Sequence, residues 1–305
     1  MVIVNMFTMP SRMVFVITTR NIRGGVKICV STVSHLIQFM AAEVWNRFCS
    51  TMSAVCHGRG KRLSMGGFVD IHCHILPALD DGAADMEKTR EMLQIAYEEG
   101  IREMIATPHY FATRKSASIE LITEVIGEVE RRMGSWGVQM KLYPGNEIYY
   151  RSEVPDLLEE GKIATLAGSR YVLVEFDPMT EYSYLRDGIH KLDSYGYVPI
   201  LAHAERYECL WKKKEKFQRV RDHGGLIQVN SASFQGGMFD EMAKRAKYIM
   251  KNDLLDFVGT DAHSTGKRSP KMKETAAYLY KKLGSKKADK ILVHNPKAVL
   301  NNEVI

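Results

Sequence analysis

The sequence predicts an α/β protein whose parallel sheet closes, or nearly closes, into a barrel of about seven β/α units. Three observations carry that expectation. Short apolar runs alternate with longer segments of helical period throughout residues 65–305. The runs are apolar at consecutive positions, as in strands covered on both faces. The 305 residues, 45% of them hydrophobic, suffice for one large domain, and no second composition class interrupts the body.

The first apolar run, Phe68-Val69-Asp70-Ile71, ends in His72-Cys73-His74. Residues i and i+2 of a strand share a face, so His72 and His74 aim two imidazoles at one point while Cys73 turns away as a small core residue. Asp80 and Asp81, just before Gly82, offer hard oxygen ligands from a loop able to fold back over that point. Taken alone, a buried strand with two incidental histidines explains the pattern equally well.

A helix is expected over 85–99, with Asp85 as N-cap and Gly100 as stop. A strand over 101–107 runs into Pro108-His109-Tyr110. The next helix, 118–133, carries Ile119, Ile122, Val125, Ile126 and Val129 along one face. A strand over 138–143 leads to Gly145-Asn146-Glu147, and a short helix over 154–160 follows. The strand over 171–176 ends with Glu175, and that over 198–202 with His203-Ala204-Glu205-Arg206-Tyr207, with a helix over 183–195 between them. A basic helix over 212–223, a strand over 225–229 ending in Asn230, a helix over 237–251 and a strand over 256–260 lead to Asp261-Ala262-His263. Helices over 270–283 and 285–293 precede an expected stop at Asn295-Pro296.

One pattern recurs: a strand ends, and a side chain able to bind metal sits at or just past that end. In chain order these are His72, His74, Asp80 or Asp81, His109, Glu147, Glu175, His203, Asp261 and His263. In a β/α barrel such ends converge on one mouth. Each residue singly has an ordinary explanation, such as a buried ion pair or a loop cap. Their joint placement does not, because clustered ionisable groups are costly without compensating cations. The set exceeds the four to six ligands of one ion, which points to two or three divalent ions. Such a cluster lowers the pKa of a bridging water and clamps phosphate oxygens for in-line displacement. Gly-x-Ser-x-Gly, Cys-x5-Arg and Gly-rich phosphate-loop patterns are absent. Arg206 and Arg268 fall in loops at the same mouth, where a planar guanidinium would match phosphate oxygens. From the residues alone, a plain surface role fits either arginine as well.

The net charge of +6 is unevenly spread. Residues 1–64 hold eight of the 42 Lys/Arg and one of the 36 acids, Glu43, which leaves 34 bases against 35 acids beyond them. That balance gives no electrostatic case for nucleic-acid binding. Five cysteines without CxxC spacing argue against a disulfide framework or zinc knuckle, and for a reducing cytoplasm. No apolar span of about 18 residues is uninterrupted, so no integral membrane segment is expected. Residues 1–64 show no strong period, although 32–47 would suit a weak membrane-surface helix. They are expected to be an extension outside the working protein, with Met65-Gly66-Gly67 as the natural start of a single domain over 65–305.

Asp70-Ile71-His72-x-His74, Asp80-Asp81-Gly82, Thr107-Pro108-His109, Gly145-Asn146-Glu147-Ile148-Tyr149-Tyr150, Val174-Glu175-Phe176, His203-Ala204-Glu205-Arg206-Tyr207 and Asp261-Ala262-His263 resemble, in that order, the motifs of the polymerase and histidinol phosphatase (PHP) superfamily. The closer resemblance is to its bacterial manganese-dependent tyrosine-protein phosphatases of the CpsB/CapC type. It runs from about Gly67 to the C-terminus and leaves residues 1–64 uncovered. It implies a distorted (β/α)7 barrel and three Mn2+ ions. One ion would be held by His72, His74, Glu147 and Asp261, a second by Glu147, Glu175 and His203, and a third by Asp81, His109 and His263. Arg206 and Arg268 fall where that family binds phosphate. The implied partner is the tyrosine-phosphorylated tail of a kinase controlling capsule or exopolysaccharide synthesis. Homo-oligomer formation is left open. The nearest alternative is a PHP phosphatase for a small phosphomonoester such as histidinol phosphate, and a more distant one is an inactive scaffold that binds a kinase tail.

Overall fold

The computed structural model describes residues 2–9, 12–20, 26–33, 67–237 and 239–305. The chain divides into two compact units, Met1–Arg62 and Leu63–Ile305. In the first, strands β1 (Val2–Met9), β2 (Arg12–Arg20) and β3 (Val26–Val33) form an antiparallel sheet with β2 in the middle. No strand is expected there from the sequence. The lack of a period hid runs dense in Val, Ile and Thr, residues that favour strands whichever face they use. Of residues 32–47, which would suit a weak membrane-surface helix, 32 and 33 belong to β3 and the rest lie outside the described residues.

The second unit carries β4 (Phe68–Cys73), β5 (Ile101–Ala106), β6 (His109–Phe111), β7 (Lys141–Pro144), β8 (Glu147–Tyr149), β9 (Tyr171–Glu175), β10 (Val198–Leu201), β11 (Leu226–Asn230) and β12 (Phe257–Gly259). Every pairing among them is parallel. One sheet runs β4-β5-β7, the other β12-β11-β10-β9-β8-β6. Thr107-Pro108 separates β5 from β6, and Gly145-Asn146 separates β7 from β8, so each pair is one interrupted strand and the count is seven. The ring closes where Asp261 N–H donates to the His72 carbonyl and His74 N–H to the Ala262 carbonyl, both at 2.8 Å. This is the expected barrel, and the two interruptions are its distortion.

The interruptions have local causes. Pro108 lacks an N–H and cannot continue a ladder. The Asn146 side chain takes over, donating to the Pro108 carbonyl (2.8 Å) and accepting from Ala164 N–H (2.9 Å). A Cβ on Gly145 would sit 2.8 Å from Ile105 Cγ2, so only glycine lets these strands approach.

Helices clothe the outside. Helix α1 (Met86–Glu98) starts at Asp85, whose carboxylate accepts from Lys88 N–H, and buries Thr89, Met92, Leu93 and Ala96. Helix α2 (Ile119–Met133) is capped by Ser118 and buries Ile122, Ile126, Val129 and Met133. These faces pack on β5 and β7 and join Met104, Leu142, Val172, Val174 and Val229 in one larger core. A smaller core gathers Val69, Ile71, Ile105, Tyr171, Leu173, Ile200, Ala202 and Phe257. Tyr171 and Leu173 share their strand face with Glu175, so this cluster fills the barrel beneath the mouth. At the C-terminus the helix does not stop at Asn295-Pro296: Ser285–Asp289 continues through a π-helical turn, Lys290–His294, into Asn295–Asn301, and the wider turn lies just before Pro296, which has no N–H to donate.

Candidate metal centre

Strand β4 supplies His72 and His74, and its register against β5 shifts between Asp70 and Cys73. That irregularity matters, because Val69 and Ile71 already face the barrel interior. Plain alternation would turn His72 outward, and the shift re-aims it toward the mouth. The two imidazole Nε2 atoms end 3.4 Å apart, and the Cys73 thiol faces the Ile105 carbonyl, as expected. His109 and Glu147 lie side by side because β6 and β8 pair in register at those residues. Glu175 ends β9, and His203 and Asp261 follow β10 and β12. Both of the latter adopt left-handed backbone (φ 34° and 51°), a conformation costly for residues other than glycine and common where function dictates geometry.

All nine expected ligands come together. The ligand atoms of His72, His74, Glu147 and Asp261 lie within 4.8 Å of one another. So do those of His74, Asp81, His109 and His263, and those of His109, Glu147 and Glu175. His203 Nε2 is 2.9 Å from Glu147 Oε1 and 3.3 Å from Glu175 Oε2. The first group has the membership that the family resemblance implies for one ion. The others are more shared than expected: His74 also reaches the Asp81 group, and His109 Nδ1 lies 3.2 Å from Glu147 and 3.5 Å from Glu175.

A divalent cation fits this donor set. Glu147 Oε2, His109 Nδ1 and His263 Nε2 are buried with no hydrogen-bond partner, and such orphaned atoms are rare without an ion to take them up. Mixed imidazole and carboxylate donors suit first-row divalent metals. In the metal-free protein, protons supply the missing positive charge. Burial opposes the charged form of His74, but the hydrogen bond to Asp80 and the Glu147 carboxylate beside it outweigh that and raise its pKa to about 10. Burial likewise opposes His203, and bonds to Glu147 and Glu175 lift it to about 9. Glu147 stays ionised despite full burial, held well below the carboxylate range by His72 beside it, by the bond to His203 and by the nearby His74 imidazole.

A second layer holds these ligands. Asp80 accepts from His74 Nδ1 (2.6 Å), from His109 N–H (2.9 Å) and from Gly82 N–H (3.0 Å). It therefore orients ligands, while Asp81 is the aspartate that reaches His109 and His263 (3.4 and 3.3 Å). Gln228 Oε1 faces His72 Nδ1 (3.2 Å) and accepts from His203 N–H (2.8 Å). Asn230 Nδ2 donates to Asp261 (2.7 Å), and Asp70 accepts from the Thr260 backbone and hydroxyl. Sequence reasoning passed over Gln228 and the role of Asn230. Their signal was two amides at i and i+2 in the otherwise apolar Leu226-Ile227-Gln228-Val229-Asn230. Arg206 and Arg268 donate to the two oxygens of Asp261 at 2.6 and 2.7 Å. Both line a cavity of about 800 Å3 above the cluster, as do Asp81, His109 and Glu175.

A parallel barrel with histidines and carboxylates gathered at the C-terminal ends of its strands, and arginines over them, defines a metal-dependent hydrolase of the β/α-barrel type. Comparison with known proteins sharpens the class. The chain belongs to the CpsB/CapC family: the family model for capsular polysaccharide synthesis, CpsB/CapC, matches residues 68–301. It is 31% identical to the tyrosine-protein phosphatase CpsB of Streptococcus pneumoniae over 242 residues, covering 78% of this chain and all of that one. It is 30% identical to the tyrosine-protein phosphatase YwqE of Bacillus subtilis, covering 78% and 93%. A solved structure from work on YwqE and CpsB, described as metal-dependent tyrosine phosphatases, superposes with a TM-score of 0.72 at 30% identity, covering 78% of this chain and 96% of that one.

Proposed function

We propose that this chain is a metal-dependent tyrosine-protein phosphatase that hydrolyses phosphotyrosine on a bacterial kinase tail controlling capsule or exopolysaccharide synthesis. The observation that carries this reading is the meeting of nine metal-capable side chains, four of them with orphaned buried atoms, beneath two arginines. Relatives of about 30% identity named as tyrosine-protein phosphatases support it.

The ligand sets are read as His72, His74, Glu147 and Asp261 for one ion, Glu147, Glu175 and His203 for a second, and Asp81, His109 and His263 for a third, with Mn2+ as the native metal. When bound, such ions supply Lewis acidity and a nucleophile from water at neutral pH. The chain's own residues do the rest. Asp80 keeps the proton on His74 Nδ1, so Nε2 presents its lone pair to the cluster, and Gln228 does the same for His72. Asp261 holds both guanidinium groups over the cavity, where they meet phosphoryl oxygens. Tyrosine, with a phenol pKa of about 10, leaves more readily than an aliphatic alkoxide, so the site needs no strong general acid.

No helix among the described residues is long and apolar enough to cross a membrane. We place the protein in the cytoplasm, brought to the inner face of the membrane by its kinase. The working domain is read as 65–305. The deciding experiment compares kcat/KM of the Mn2+-loaded protein on a phosphotyrosine peptide and on histidinol phosphate. Preference for the peptide is expected, and a large preference for histidinol phosphate would overturn the assignment in favour of a small-metabolite phosphatase.

A further inference from the structure

The mouth has a second, aromatic storey directly above the metal-binding one. Strands β6 and β8 pair in register, His109 beside Glu147 and Phe111 beside Tyr149. Phe111 is two positions beyond His109 and Tyr149 two beyond Glu147, so each shares that residue's face and stands roughly 6.6 Å further out along the strand. The rings confirm the layout: the Phe111 centroid is 5.3 Å from that of His109 and 5.6 Å from that of Tyr149. Both rings line the cavity above the cluster, and Tyr150, pointing the other way, is buried against Phe176.

The platform is braced by the loop that follows β6, which lines the same cavity. Ser116 Oγ accepts the Phe111 N–H (2.9 Å), and Arg114 N–H bonds the Phe111 carbonyl, so the loop folds back on its own strand. That fold sets the Arg114 guanidinium 3.5 Å from the Phe111 ring centroid, while Arg151 lies 5.8 Å from the Tyr149 ring. Arg114 lines the same cavity and covers one face of Phe111, so the half-buried edges of Phe111 and Tyr149, with that guanidinium beside them, are what the cavity offers an aryl ring.

We infer that Phe111 and Tyr149 form the subsite that receives the ring of an aryl phosphomonoester, and that they set the preference for phosphotyrosine over phosphoserine. This rests on the phosphatase reading above and adds the residues that choose the substrate class. A phosphoryl group held at the cluster directs its ester substituent outward along β6 and β8. An aromatic substituent then meets both rings, while a short aliphatic one leaves them exposed to water.

The test compares the metal-loaded wild type with Phe111→Leu and Tyr149→Leu, which keep apolar volume and lose the ring, and with Phe111→Trp, which restores one. The substrates are two peptides of one sequence carrying phosphotyrosine or phosphoserine, and inhibition by benzylphosphonate and methylphosphonate is measured alongside. Each leucine variant should lower the phosphotyrosine-to-phosphoserine ratio of kcat/KM about 5- to 10-fold, mainly through KM, and weaken benzylphosphonate relative to methylphosphonate by a similar factor, the size expected for one aromatic pair. Phe111→Trp should recover most of the ratio. If both substrates and both phosphonates weaken together, or the ratio holds within about twofold, the rings are structural and the subsite is refuted while the phosphatase reading stands. A wild type that turns over no phosphotyrosine removes both.

Discussion

Asp80 tests whether a residue that touches no substrate sets the strength of the metal centre. Its carboxylate accepts three hydrogen bonds, from His74 Nδ1, His109 N–H and Gly82 N–H. Burial resists its ionisation, yet the bond from His74 brings its pKa down to about 2. Asp80→Asn keeps the shape and removes the charge. With its oxygen toward His74 and His109, the new amide NH2 faces the Gly82 N–H; flipped, it faces two donors at once. Either way a donor loses its partner, and the His74 ring loses the charge-assisted bond that fixes its tautomer. Loss of such an orienting partner weakens metal affinity about 10- to 100-fold, or about 1.4–2.8 kcal/mol. Competitive chelator titration of Mn2+ into wild type and variant measures this directly, with circular dichroism confirming the fold. Binding within about twofold of wild type would show that His74 and His109 need no outside support and would refute the orienting role.

His74→Ala removes a side chain common to two of the clustered groups. Metal analysis after dialysis should find the ions lost, with turnover down at least about 100-fold, and a fully metallated variant would contradict the ligand assignment. Arg206→Ala should keep its metal but lose about 100- to 1000-fold in kcat, as when one preorganised donor to a transition state is removed; rates near wild type would end its phosphate-binding role. A chain beginning at Met65 should fold and retain activity within about twofold, since the family match starts at residue 68. Failure of that chain to yield folded protein would show that the first unit is needed.

Much of this was legible because barrel strands are apolar along their length and turn polar where they end. His72, His74, His109, Glu147, Glu175, His203, Asp261 and His263 each break an apolar run at its C-terminal edge, and chain order alone places them at one mouth. What stayed hidden depends on backbone detail finer than such patterning. Alternation on β4 predicts the His72–His74 pair, but not the register shift that lets Ile71 and His72 both serve the interior. Asp80 and Asp81 are interchangeable as letters; only the loop's path puts one under His74 and the other over His109 and His263. Gln228 meets His72 only once the barrel closes, and Phe111 meets Tyr149 only once β6 pairs with β8. In residues 2–33, β-branched content signalled strands that a search for a period could not find.

The central claim is that this cluster is a metal centre that cleaves phosphotyrosine. Its most direct test is to strip the full-length protein with chelator, return Mn2+ in steps, and follow bound metal and phosphate release from a phosphotyrosine peptide in the same samples. The account predicts no turnover in the stripped protein and activity that rises as more than one ion binds per chain. Full activity in the stripped protein, or a metal-saturated protein that releases no phosphate from the peptide, would contradict it.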